Sequence, residues 1–463
     1  MKYFRLLSAM VLMLALVACT KPARNFPPND TTMRLDSTNL PIVWIEVGGD
    51  SIMRDKRIGG YMTIIHNGEG RLNYADTIAH PGQHVDYKGY IAIRHRGNST
   101  YNNSPKKPYS FRTLAEPMWR GDAKKQKVSI LGMSKDNNWA LLAPYSDRSM
   151  IRDLLAFELA RPWMNFTPQG RFCELILDGT YYGVFILSEV VSKGTHRLDL
   201  TSPGEAGDAL TGGYLMEVDC DDDITYTSKH HPLSPDGKPY TDKNIIFQYK
   251  APDYEDLSPV QRNYINSRID YMENAIAAGQ FDKVIDVLSF IDYQLAMELG
   301  HNVDAYRLSG KFYKHRDSLD PRFKMALWDM NLAYGNINRL EGWRTDTWVH
   351  ESNSILYHEK ERYLIPDWWY YLNHNDRYTA LLKQRWAQYR QANLSNERLM
   401  ATVDSLANLL TACGAEQRNT RAWLPWNKPV WPNRHVASSH ADEIEYIKHW
   451  LQERVAWMDE HLK

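Results

Sequence analysis

Between residues 172 and 189 the chain reads FCELILDGTYYGVFILSE, two alternating apolar runs joined by Asp178-Gly179. Alternation with a period of two sends successive side chains to opposite faces of a strand, and Asp-Gly readily takes the positive φ angles of a type I′ turn. This stretch therefore predicts a β-hairpin and commits the chain to an antiparallel sheet. Further strand-like runs lie at residues 42–47, 61–66, 90–96, 138–142 and 214–218. Later the pattern turns helical. Ser258-Pro259 is an N-cap followed by proline at the first helical position, and Val260, Tyr264, Ile265, Ile269, Met272 and Ile276 form an apolar stripe ending near Gly279. Residues 281–299 are apolar on all sides, which predicts a buried helix. Helices are also expected over 148–160, capped by Ser146-Asp147, over 377–391 and 395–412, and in a last segment carrying Ile444, Ile447, Leu451, Val455, Met458 and Leu462. The expected class is α+β, with the strands first.

Lys2 and Arg5 precede an apolar run from Leu6 to Val17, the form of a secretory signal peptide over residues 1–18. Leu16-Val17-Ala18-Cys19 resembles the lipobox of bacterial lipoproteins, so cleavage before Cys19 and acylation of its sulfur are expected. Residues 19–39, rich in Pro, Asn, Asp and Thr, read as a flexible tether. The expected location is extracytoplasmic, lipid-anchored to a bacterial membrane, the outer one. Cys173, Cys220 and Cys413 contain no CxxC pair and suggest neither a zinc cluster nor a disulfide framework. With 55 basic and 56 acidic side chains and no dense basic tract, a nucleic-acid partner is disfavoured, since neutralising phosphates needs a basic face. A chain of 463 residues has room for two lobes.

The candidate chemistry centres on residues 302–335, NVDAYRLSGKFYKHRDSLDPRFKMALWDMNLAYG. Asp304 and Asp329 stand at the ends of short apolar runs, where a core rim would hold a carboxylate rigidly as a base or metal ligand. Asn331 lies two residues past Asp329, so an extended segment would put both side chains on one face, ready to share a hard cation. Ser309 follows Asp304 by five residues, the Asp-x4-Asn spacing of a kinase catalytic loop with a weaker ligand in place of the amide. Upstream, Gly97, Asn98 and Ser99 form a loop with Lys106 and Lys107 beyond it, a phosphate cradle in outline, although such loops are more often plain turns. Glu189 closes its strand and Glu217 repeats that placement. Asp219, Asp221, Asp222 and Asp223 lack the Gly and terminal Glu of an EF-hand and read as a solvated turn. Asp147, Arg148 and Arg152 suit capping and ion pairing.

Taken in order, RGNST, PKKPYSF, NWALLAPYSDRSMIRD, ELILDGTYYGVFILSE, GGYLMEVD, NVDAYRLSGKFYK and LWDMNLAYGN resemble the CotH family of atypical secreted kinases, in particular its lipoprotein members from Bacteroidetes. The resemblance implies a divergent protein-kinase-like fold of two lobes. Residues 40–345 would form the kinase-like domain, with an N-lobe over about 40–220 and a helical C-lobe over about 221–345. Residues 346–463 would be a helical extension packed on the C-lobe. It also implies ATP with Mg2+ or Mn2+ and a protein hydroxyl as acceptor. Asp304 would then be catalytic, and Asp329, Asn331 and Ser309 would hold the metal. Gly97, Asn98 and Ser99 would line the phosphates, Lys106 or Lys107 would contact them, and Glu189 would lie near the nucleotide. The spore-coat pattern has Asn at the position of Ser309 and often Asp at that of Asn331, so a second metal ion should bind weakly here. An inactive pseudokinase acting as a surface module for a glycan or protein is the alternative. A glycosidase using Asp304 and Asp329 ranks last, because it needs their carboxyls about 5 to 9 Å apart across an open groove.

Overall fold

Seven strands close on themselves in the order Ile42–Glu46, Ile58–Ile65, Val85–His95, Tyr109–Leu114, Asn138–Leu142, Thr180–Glu189 and Gly170–Leu177. The computed structural model that shows this describes residues 25–118 and 123–463, so the expected signal peptide and Cys19 lie outside the described residues. Neighbouring strands are antiparallel except at the seam, where Ile42–Glu46 runs parallel to Gly170–Leu177. The hairpin forms as its alternation requires. Cys173, Leu175, Phe185 and Leu187 join one core, while Phe172, Val184 and Ile186 join another on the outer face. Both faces are thus buried, which explains why the run reads so apolar. Its turn has φ of 46° at Asp178 and 77° at Gly179, and the Asp178 carboxylate accepts from Val47 N at 2.8 Å and Gly49 N at 3.0 Å.

A second, five-stranded sheet has the order Thr225–Thr227, Ile246–Ala251, Tyr214–Val218, Gly310–Lys314 and Lys324–Ala326. The α+β class is as expected, but the two-lobe division is not what organises the strands. Tyr214–Val218 pairs with Ile246–Ala251 and Gly310–Lys314, so a boundary at 220 would cut through one sheet. Sequence order hides this, because strand pairing joins segments almost a hundred residues apart.

The segment expected as a tether is folded from Asn25 onward. Met33 and Leu35 are buried, Ser37–Thr38 pairs with Asn73–Tyr74, and the Asn25 side chain bonds both Asp50 O and Ile52 N. Its few apolar side chains suffice to anchor it because the barrel surface offers matching partners.

Helix Ala415–Trp423 is seated on the barrel. Asn419 Oδ1 accepts from Val184 N at 3.1 Å, and Trp423 Nε1 donates to Tyr182 O at 2.7 Å. Gly183 between them has φ of 84°, and a Cβ there would lie 2.5 Å from Asn419 Oδ1, so only glycine permits this approach. Helix His440–His461 instead packs along the buried helix Val287–Gly300, which ends the run expected at 281–299 after a short 3-10 turn, Phe281–Lys283. The C-terminal helices therefore brace the barrel as well as the second sheet. Cys173, Cys220 and Cys413 are free thiols. Among the described residues, no helix is long and apolar enough to cross a membrane.

Candidate active site

Helix Val287–Gly300 ends in a left-handed cap at His301, φ 45°, and turns the chain into Asn302. Asn302 is 2% exposed and joins the two aspartate loops. Its Oδ1 accepts from Asp304 N at 3.1 Å, and its Nδ2 donates to Asp329 O at 2.9 Å. Ser309 Oγ completes the link by donating to Asp329 Oδ2 at 3.3 Å. Asp304, Ser309 and Asp329 therefore converge, from segments 20 residues apart for the last pair.

The backbone here is strained. Tyr306, Ser309 and Asp329 have φ of 71°, 54° and 60°. A non-glycine residue in this region costs of order 1–3 kcal/mol and persists only where its surroundings impose it. The strain at Asp329 also corrects one expectation. The strand ends at Ala326, and with Asp329 left-handed the two-residue alternation does not extend to Asn331, whose carbonyl is instead bonded by Asn336 Nδ2 at 2.8 Å.

Asp329 is exposed to solvent, yet protein surrounds its carboxyl group closely. That enclosure raises its pKa by desolvation, Arg96 opposes the rise, and the charge of Asp304 adds to it. Asp304 is held differently. Its Oδ1 accepts from Arg307 Nη2 at 2.7 Å, and the buried Arg307 also bonds Glu361 at 2.9 Å and Tyr363 O at 3.1 Å. Behind Asp329, the buried Asp153 accepts from Met330 N at 2.9 Å. Burial and then the Asp329 charge push Asp153 up to about 7. Arg152 supports the next turn through Ala333 O at 3.1 Å and pairs with Asp147 and Glu443, the ion-pairing role its sequence suggested.

The cations of this cleft are not those expected. Lys106 is fully buried with its ammonium on Val184 O and Asn419 Oδ1, beneath the rings of Phe185 and Trp423. Lys107 bonds Tyr101 O and lies over Phe26 and Tyr101. Both precede strand Tyr109–Leu114 rather than lying in it, and the contacts of both ammonium groups are with packing residues and not with Asp304 or Asp329. Glu189 is likewise structural, with its carboxylate accepting from Ser134 N and Gln169 N. In their place stands Arg96. Its main-chain N–H donates to Pro108 O at 3.1 Å and its guanidinium lies 4.9 Å from the Trp328 ring centroid. Burial lowers its pKa and the charges of Asp329, Asp153 and Glu217 oppose that, yet no described residue hydrogen-bonds the guanidinium.

Glu217 faces its cross-strand partner Lys311, and Lys250 bonds its other oxygen at 2.9 Å. Burial would raise Glu217, but the two lysines hold it at about 2. The loop expected to line phosphates sits next to this group. Gly97 has φ of 80°, Ser99 begins a short exposed helix, and Asn98 Nδ2 donates to Asp222 Oδ2 at 2.8 Å. The acidic turn is thus a contact surface as well as a solvated one, with Asp221 bonded by Arg362 and Tyr363.

Arg96, Asn302, Arg307 and Lys311 were missed because each stands beside a residue with a more familiar signature. The signal that could have found them was the presence of charge inside apolar runs. Glu298 is a further case. It accepts from Tyr306 Oη at 2.9 Å, Val349 N at 2.9 Å, His350 and Arg454 while only 1% exposed. Burial would raise its pKa, but these donors hold it at about 2. Glu298 and Glu217 would both sit near 4.3 in the unfolded chain. The stability they contribute is therefore present above that value and lost as pH falls toward 2. Acid titration should lower the melting temperature steeply between about pH 5 and 2, and Glu298→Gln should flatten that slope. An unchanged slope would show that Glu298 is not ionised in the native state.

The donor set suits a hard divalent cation. It offers carboxylate, hydroxyl and amide oxygens, and the unfavourable ionisation of Asp329 beside Asp304 is what a cation would relieve. Among the described residues no three His, Cys, Asp or Glu side chains form a metal cage. The family model described as CotH kinase protein matches residues 93–458. No curated protein matches the chain.

Proposed function

The chain belongs to the CotH kinase family and is a kinase-like protein, and from that premise we propose that it transfers the γ-phosphoryl group of ATP to a protein hydroxyl. The observation carrying this reading is the pairing of Asp304 and Asp329 through Asn302, near the Arg96 guanidinium, which stacks on Trp328 and is hydrogen-bonded by no described residue. Asp304 would orient the acceptor hydroxyl and take its proton as the oxygen bonds the γ-phosphorus and the bond to the bridging oxygen breaks, releasing ADP. Asp329, with Ser309, would hold the divalent cation, which when bound neutralises charge on the phosphates. Arg96 supplies the positive charge first sought in Lys106 and Lys107.

The purified full chain, incubated with labelled ATP and Mn2+, should label itself or an added protein. Asp304→Ala should lower the rate by about 10² to 10⁴. The second reading is a binding module for a glycan or protein, and the 2.7 Å Asp304–Arg307 ion pair favours it, since a paired carboxylate is a poorer base. Absence of both labelling and nucleotide-dependent stabilisation would decide for that module.

The lipid anchor belongs to the same reading, because an acceptor on the cell surface needs the enzyme there. Cys19→Ala should move the protein from the membrane fraction to the soluble one. Unaltered membrane association would remove the anchor from the proposal.

A further inference from the structure

Away from the cleft, a cavity of about 380 Å³ opens between helix Val287–Gly300, the turn Val349–Glu351, helix Asp367–Asn373 and the end of helix His440–His461. This volume is near the lower end of small-ligand sites. Two half-buried aromatic rings line it, Trp348 and Tyr370, the latter stacked on His374 at 3.9 Å.

Its floor is polar and already fixed. Gln294 Nε2 donates to Asn373 Oδ1 at 2.7 Å, and Gln294 Oε1 accepts from Tyr378 Oη at 2.9 Å. His350 Nδ1 is bonded to Glu298 Oε1 at 2.9 Å, which holds the imidazole in place with its Nε2 3.8 Å from Glu351 Oε1. One N–H of Gln294 and the hydroxyl of Tyr370 are uncommitted to any described residue. These groups are prearranged donors and acceptors, which spares a ligand the cost of ordering them.

The charge of the lining narrows the ligand. Glu298 is paired with Arg454 behind it, at 3.2 Å, and on the rim Glu351 lies 3.8 Å from His350 Nε2, with Lys383 also in the lining. Charges of both signs thus stand in the lining and no cluster of one sign does, so the cavity offers a phosphate or an ammonium group no concentrated counter-charge. Aromatic rings beside dispersed hydroxyl and amide hydrogen-bonding groups match a ring that is apolar on its faces and hydroxylated at its edge.

We infer that this cavity is a binding site for a neutral saccharide of one or two rings. The site is separate from Asp304 and Asp329 and does not depend on phosphoryl transfer. It does border the same loop, because Glu298 bonds both His350 and Tyr306.

The test is titration of the full chain with N-acetylglucosamine, maltose and cellobiose, with glucuronate and glucose 6-phosphate as charged comparators. Saturation-transfer NMR detects contact and calorimetry gives Kd. At least one neutral sugar should bind saturably. Tyr370→Ala on the rim and His350→Gln, which keeps a donor for Glu298, should each weaken it by about tenfold or more. Thermal melting establishes that each variant is folded. The inference is overturned if no neutral sugar saturates, if a charged comparator binds more tightly, or if folded Tyr370→Ala retains the wild-type Kd.

Discussion

Asp329→Asn is expected to end phosphoryl transfer while making the protein more resistant to heat. The carboxylate is the principal anchor for the cation in the proposed site, and a bound metal contributes several kcal/mol of transition-state stabilisation, so kcat should fall by about 10³ or more. Stability should move the other way. Asp329 ionises against desolvation and against the charge of Asp304, and it also presses on the buried Asp153. An amide removes both repulsions and tolerates φ of 60° as well as aspartate does. Labelled-ATP turnover and a thermal melt on the same preparation check the two halves. Retained turnover, or a lower melting temperature, would show that the strained conformation serves the fold rather than the chemistry.

Asn302→Ala should be nearly as damaging to turnover, for a different reason. Asn302 touches no proposed substrate, yet its side chain is all that bonds Asp304 N and Asp329 O to one another. Removing it deprives two part-buried main-chain groups of their bonds, at a cost of about 1 kcal/mol each, and frees the aspartates to drift. A displacement of about 1 Å in a catalytic group can cost a hundredfold in rate, so kcat should fall by at least that much with a lower melting temperature. Asn302→Asp keeps the acceptor for Asp304 N but cannot donate to Asp329 O when ionised, and should fall between the two in stability. Normal kinetics in folded Asn302→Ala would mean that the loops are positioned by other contacts.

Local structure was largely legible because its determinants are local. Alternation gave the hairpin now seen as Gly170–Leu177 and Thr180–Glu189, the Ser258-Pro259 signal gave helix Pro259–Ala277, and Tyr214–Val218 and Asn138–Leu142 appear with the expected bounds. What pairing and closure decide was not legible. Nothing in residues 42–47 says that their neighbour is a parallel strand about 130 residues later, and so the barrel was unforeseen. The site divides in the same way. Asp304 and Asp329 were singled out because their spacing from apolar runs is visible in order, and Asn302 brings their two loops together. Lys106 and Lys107 were misread because only the fold determines that helix Ala415–Trp423 covers one and Phe26 and Tyr101 the other. The tether was misread because Met33 and Leu35 acquire meaning only beside the surface they fill.

A ring of seven strands has no unpaired border, so an acceptor protein cannot be captured on the barrel by lending it a strand. The five-stranded sheet has two outer strands, Thr225–Thr227 and Lys324–Ala326. The second of these leads within three residues to Asp329. That strand is closed as well, because Met325 N–H donates to Ser289 Oγ at 2.9 Å and both Met325 and Ala326 are buried, so whatever approaches Asp329 must be held by side chains and not as an added strand.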